Sequence, residues 1–135
     1  MAFSLSGPLK LGFQNVQPPA DKNGVFQLAD FETTQRLVFA LERNGFDAMW
    51  AGDHVAFEQP ILDPLIQLSQ ASAISQRLLL GTAVYLLPLR RPASVAKQVA
   101  SLDLLSSGRV IFGVGVGGED RVAVGHHHED RKSVV

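Results

Sequence analysis

Four short clusters hold the residues best suited to chemistry. Asp53 and His54 follow directly on the apolar run Phe46–Ala51, and Gly113-Val-Gly115-Val-Gly117-Gly118 ends another apolar run. Arg90-Arg91 precedes a proline, and His126-His127-His128 stand near the carboxyl terminus. A histidine just past a strand can donate or accept a proton or hold a polar cofactor edge, and a neighbouring aspartate can orient it. The competing reading makes Asp53 a turn cap and His54 a surface loop residue. The glycine run matches G-x-G-x-x-G, the phosphate cradle of dinucleotide sites. That motif should open a helix and be followed by a strand with an acidic residue about 20 positions on. No helical pattern follows Gly118, so a strand end passing close to a ligand or a neighbouring strand is the simpler account. Arg90-Arg91 could meet a phosphate, but two exposed loop arginines are the plainer reading. Adjacent histidines cannot all face one ion from a helix or strand, and no Cys or further His lies nearby, so no metal site is expected.

These clusters need elements to position them, and the stretch Arg77–Gly118 supplies the clearest ones. Leu78–Tyr85 is apolar on both faces, as in a parallel strand covered on both sides. Pro92 suits the first position of a helix, where its missing N–H costs nothing. Val95, Ala96, Val99, Ala100, Leu102 and Leu105 then fall on one side at helical spacing. Gly108 is expected to close that helix in the left-handed region, and Val110–Val114 to form a second buried strand. Strand, helix and strand make one right-handed βαβ crossover.

The rest of the chain repeats the pattern. Leu9–Asn15 reads as a strand, Gln17–Gly24 as a polar, proline-rich loop, and the next helix ends at Asn44-Gly45 with Phe31, Leu37, Val38 and Leu41 as its buried stripe. Phe46–Ala51 is a strand, and Gly52–Leu62 a loop holding Asp53, His54 and Glu58. Asp63-Pro64 opens a helix as cap and first position, with Leu65, Ile66, Leu68 and Ile74 on its apolar side. The order β-α-β-α-β-α-β calls for an α/β fold, a parallel sheet with helices outside. In such folds the loops at the carboxyl ends of the strands form the site: here Gln14-Asn15, Gly52-Asp53-His54, Thr82–Leu89 and Gly113–Glu119. Residues 119–135 mix charges, histidines and a small apolar end without a stripe, and read as a disordered tail.

Composition sets the bounds. The 135 residues allow one domain with a real core; a closed eight-stranded α/β barrel takes about 250. A net charge of −1 gives no reason to expect a nucleic-acid or membrane-surface partner. Cysteine is absent, which removes disulfides and thiolate chemistry. The opening residues lack a signal peptide's charged and apolar regions, and no apolar run reaches membrane-spanning length, so a cytoplasmic location is expected.

Gly45–Val55 (GFDAMWAGDHV), Leu62–Leu65 (LDPL) and Leu78–Asp120 together resemble the bacterial luciferase-like monooxygenases. The resemblance implies a partial TIM (β/α)8 barrel, with residues 1–118 as its amino-terminal half and 119–135 as an irregular tail. It implies an oxidoreductase acting on a small molecule with FMN or the deazaflavin coenzyme F420. The pattern W-x-x-D-H at the end of the second strand, carried by Trp50, Asp53 and His54, is closest to the deazaflavin branch. By the same resemblance, Asp53 and His54 lie near the redox ring, Thr82, Ala83 and Val84 form a bulged third strand behind it, and Gly113, Gly115 and Gly117 approach it from the fourth. Glu119 matches a functional glutamate after that turn. Some relatives have a cis bond where this chain joins Ala83 to Val84; in a half-barrel the bond is expected to relax to trans while the bulge persists. The alternative is a non-catalytic remnant or assembly module. Either form would expose its first and fourth strands, and a dimer or larger self-association is expected.

Overall fold

The computed structural model describes residues 10–15, 22–24, 30–55 and 61–117. Glu58, Gly118, Glu119 and His126–His128 lie outside them, as does the expected tail. The elements are β1 (Gly12–Asn15), α1 (Phe31–Arg43), β2 (Ala48–Ala51), α2 (Pro64–Ile74), β3 (Leu79–Leu86), a short 3-10 turn at Leu87–Leu89, α3 (Pro92–Leu105) and β4 (Val110–Gly115). The strands form one parallel sheet in the order β1-β2-β3-β4, so β1 and β4 are its edges, as expected.

Local chemistry sets the element ends. The Asp30 carboxylate accepts the Thr33 N–H at 2.7 Å to open α1, and Asp63 accepts those of Leu65 and Ile66 at 2.9 and 3.3 Å to open α2. Such caps are typically worth about 1 kcal/mol where the position is partly sheltered, as at Asp63. Pro64 and Pro92 each sit in the first turn of their helix. Gly45 has φ 75°, which stops α1 where the Asn-Gly pair foretold it. α3 stops at Leu105 and Gly108 (φ 77°) closes it in the left-handed region as expected, its N–H on the Asp103 carbonyl at 2.8 Å, with Ser107 (φ 60°) left-handed as well. β2 is shorter than Phe46–Ala51. Phe46 donates its N–H to the Leu41 carbonyl, and Asp47 is held by Leu11, its N–H on the Leu11 carbonyl and its carboxylate on the Leu11 N–H.

All three helices pack on one face of the sheet. Val38 and Leu41 of α1, Leu65, Leu68 and Ala71 of α2, and Val95 and Leu102 of α3 meet Met49, Ala51, Leu80 and Tyr85 from the strands in one apolar cluster. Burying each large side chain there contributes about 1.5–3 kcal/mol. Several stripe residues fall elsewhere: Phe31, Ile66 and Leu105 are exposed, while Thr34 is buried in α1. Helical spacing identifies a side of each helix but not how much of that side its neighbours reach. β4 is likewise not the buried strand its composition suggests. Ile111 and Val114 are exposed, and a groove of about 580 Å³ lies between α3 and β4, lined by Val95, Val99, Val110 and Phe112. No helix among the described residues is long and apolar enough to cross a membrane.

Candidate functional site

The sheet departs from regular pairing at one place. Thr82 pairs with Phe112 and Tyr85 with Val114, so β3 carries one more residue than β4 between these points. The extra residue resets the alternation. Thr82 and Tyr85, an odd number of positions apart, are both buried, while Val84 between them is exposed. Tyr85 then packs against Phe112 at 5.3 Å between ring centroids. The bulge that the resemblance implied is therefore present. The Ala83–Val84 peptide bond is cis, contrary to the expected relaxation to trans.

Glycines on the neighbouring strands fit this irregular segment. A Cβ at Gly113 would overlap the Thr82 carbonyl, and one at Gly115 would overlap the Val84 side chain. Both lie within β4, at a strand end as expected, and the positions from Gly118 on, where a dinucleotide cradle would open its helix, lie outside the described residues. Gly117, just beyond β4, has φ 73°. From β1, the Gln14 side chain crosses β2 and donates its amide to the Ala83 carbonyl at 3.2 Å. Gly52 lies beneath this bridge, where a Cβ would sit 3.6 Å from the Gln14 amide nitrogen.

The remaining predicted residues divide into two groups. Trp50 lies with its indole against Gly12 and Gly81 of the flanking strands, where a Cβ on either would overlap the ring. His54 is exposed at the carboxyl end of β2. Thr82, by contrast, points into the protein and donates its hydroxyl to the Gly113 carbonyl at 2.8 Å, so its side chain is not presented to a ligand. Asp53 is also withdrawn. It is 4% exposed; one oxygen accepts the Leu86 N–H at 2.8 Å, and both oxygens take Arg90, at 2.6 and 2.7 Å.

Arg90 is the residue that sequence reasoning misplaced. It is half-buried, with its guanidinium 4.4 Å from the centre of the Tyr85 ring, and it also lies 3.7 Å from the Asp63 carboxylate. An arginine so engaged is not free for a phosphate. The available signal was its position between the apolar run Leu86–Leu89 and the helix-opening Pro92, where one arginine of a pair turns inward. Arg91, its neighbour, is exposed as expected. Burial pushes the Tyr85 hydroxyl above its ordinary range, with the Asp63 and Asp53 charges adding to the rise and Arg90 opposing it. Among the described residues no cluster of His, Cys, Asp or Glu has the makings of a metal site.

Together these residues make a surface at the carboxyl end of the sheet. Gly52, Ala83, Gly113 and Gly115 keep it low, Val84 presents an exposed apolar side chain, and the Ala83 carbonyl and Gln14 amide supply polar atoms. This geometry can be set beside that of known proteins. Over 115 residues the chain is 33% identical to the F420-dependent glucose-6-phosphate dehydrogenase of Kineococcus radiotolerans, covering 82% of this chain and 32% of the relative. It is 40% identical over 82 residues to limonene 1,2-monooxygenase of Rhodococcus erythropolis, covering 60% of this chain and 21% of that enzyme. Among solved structures, the F420-dependent tetrahydromethanopterin reductase of Methanopyrus kandleri superposes with a TM-score of 0.68 at 25% identity, over 88% of this chain and 30% of that one. The FMN complex of the oxygenating constituent of 3,6-diketocamphane monooxygenase from Pseudomonas putida gives 0.73 at 20% identity, over 88% and 32%, and shows the fold alone. The chain thus spans about a fifth to a third of the length of these relatives. Its four parallel strands and three helices superpose on part of their α/β architecture, and the luciferase-like monooxygenase profile matches it over residues 10–134. On that match, which takes in every described element, the chain belongs to the luciferase-like monooxygenase family.

Proposed function

We propose that this chain contributes the ring-binding part of an oxidoreductase site that uses FMN or F420 on a small-molecule substrate. The observation that carries the reading is the bulge at Thr82–Tyr85, which brings an exposed Val84 and the Ala83 carbonyl to the carboxyl end of the sheet beside glycines. Carboxyl ends of parallel strands are where α/β folds bind and transform their ligands. When bound, either cofactor supplies two-electron redox chemistry that no side chain here can perform.

The chain's own residues have narrower tasks. Ala83, Val84, Gly113 and Gly115 form the surface against which the ring rests, and Gln14 steadies the Ala83 carbonyl. Trp50 fills the sheet's open face below, on the amino side of that surface. Gly117 extends the same edge beyond β4, and Glu119, outside the described residues, is a candidate for proton transfer by family resemblance alone. His54, exposed after β2, is the residue best placed to hold or pass a proton near the substrate. Asp53, tied to Arg90 and Leu86, serves to fix the loop that carries His54 rather than to exchange protons itself.

Titration of the chain with FMN and with F420, followed by visible absorbance and fluorescence, tests the reading: one of the two should bind. A chain that binds neither would instead be the non-catalytic remnant. With a bound cofactor, His54→Ala should lower turnover by about 10²–10⁴-fold, the usual worth of a positioned acid or base. Its thermal midpoint should hold, because an exposed polar side chain buries little. Unchanged turnover removes His54 from the chemistry.

A further inference from the structure

Between β2 and β3 the carboxyl end of the sheet is held from two sides. On the open face, Gln14 reaches the Ala83 carbonyl. On the helix side, Asp53 holds the Leu86 N–H at the last position of β3, directly after the bulge. Asp53 stays there because Arg90 grips both its oxygens, and Arg90 in turn is placed by the Tyr85 ring, the Leu86 carbonyl at 3.3 Å and the Asp63 cap of α2. One guanidinium therefore ties the loop after β2, the end of β3 and the start of α2.

We propose that Arg90 is a positioning residue for the cofactor ring: it fixes the carboxyl end of β3, and with it the bulge, through Asp53. This rests on the functional reading above. The geometry requires the fork of a guanidinium. Its two nitrogens meet two carboxylate oxygens while its central carbon lies over an aromatic ring, and a lysine ammonium cannot do both. Gln14 holds the bulge only at Ala83, from a half-open face, so release of Leu86 leaves the following turn, Leu87–Leu89, without its anchor.

The test compares Arg90→Lys with Arg91→Ala, a substitution of the exposed neighbour. Amide hydrogen exchange at Leu86, measured on the full chain without any cofactor, should quicken in Arg90→Lys and stay as in the unaltered protein in Arg91→Ala. Affinity for FMN or F420 should fall about tenfold or more in Arg90→Lys, the scale on which displaced positioning groups act. The absorbance band of any remaining bound cofactor should move toward that of the free molecule, which a general loss of stability would not produce. Arg90→Gln serves as a second variant should the lysine protein not fold. Unchanged Leu86 exchange overturns the clamp, and native affinity with quickened exchange overturns its role at the ring. Failure of the unaltered chain to bind either cofactor sinks the functional reading instead, and is told apart because the exchange experiment contains no cofactor.

Discussion

At the amino end of the sheet, Arg109 donates to the carbonyls of Ser106, Leu78 and Ser72, at 2.6, 2.7 and 3.4 Å. At the carboxyl end, Arg90 faces the carboxylates of Asp53 and Asp63. Both arginines are half-buried and both join elements distant in sequence. The surroundings differ. Around Arg109 the pairing is regular, and local polar groups are used up: Ser75 accepts the N–H groups of Arg77 and Leu78 and donates to Glu42, and Asp103 accepts the Val110 N–H. Around Arg90 lie the bulge, the glycines, exposed Val84 and exposed His54. One end closes its hydrogen bonds on itself. The other keeps irregular backbone in place with a charge pair and leaves surface open beside it, the division expected between the stability and ligand faces of a (β/α) barrel.

The most severe way to break the carboxyl end is Gly113→Ala. The new methyl would meet the Thr82 carbonyl, which is backbone and cannot swing aside. We expect a loss of about 3 kcal/mol, the upper part of the range for overpacking, or failure to fold; urea denaturation measures it. A native midpoint would mean that β3 and β4 are not held as closely as described.

Arg109→Leu sharpens the comparison from the other side. It should cost about 2–3 kcal/mol in urea unfolding, because charged hydrogen bonds to three carbonyls are lost, and leave cofactor affinity unchanged. An affinity loss as large as that of Arg90→Lys would erase the distinction between the two ends.

Much of this contrast escaped the sequence, for physical reasons. Element order, the Asp63-Pro64 start, the Asn44-Gly45 stop and Pro92 at a helix start all follow from local backbone preferences, and local preferences are written locally. The bulge was implied by resemblance to a family, not by periodicity. Asp53 and Arg90 are 37 positions apart, and nothing in either neighbourhood names the other. A doublet of arginines before a proline looks solvated until a buried carboxylate supplies its partner. The exposure of β4 was hidden similarly, since an apolar strand states what it prefers to touch and not what lies beside it.

The smallest expected effect concerns Asp30, at the start of α1. The Thr33 side chain and then its backbone N–H hold the carboxyl below its ordinary value. A group depressed on folding contributes stability above the unfolded carboxylate range, about pH 4, and loses it as pH falls through the folded value. Asp30→Ala should therefore flatten the thermal midpoint's pH dependence only below about pH 4. The group is exposed, so the change should be slight and should shrink further in salt. A change centred on neutral pH would rule out this cap as its source.

Trp50 is the single tryptophan of the chain, and its indole lies flat against Gly12 of one neighbouring strand and Gly81 of the other. The molecule thus carries one optical probe whose surroundings are set by three strands at once. A slip in either pairing would change how much water reaches the ring, and ultraviolet emission would register it with no competing tryptophan signal. Assembly with other chains, occupation of the open sheet face and loss of strand register could each be followed in solution through this residue, without attaching a label.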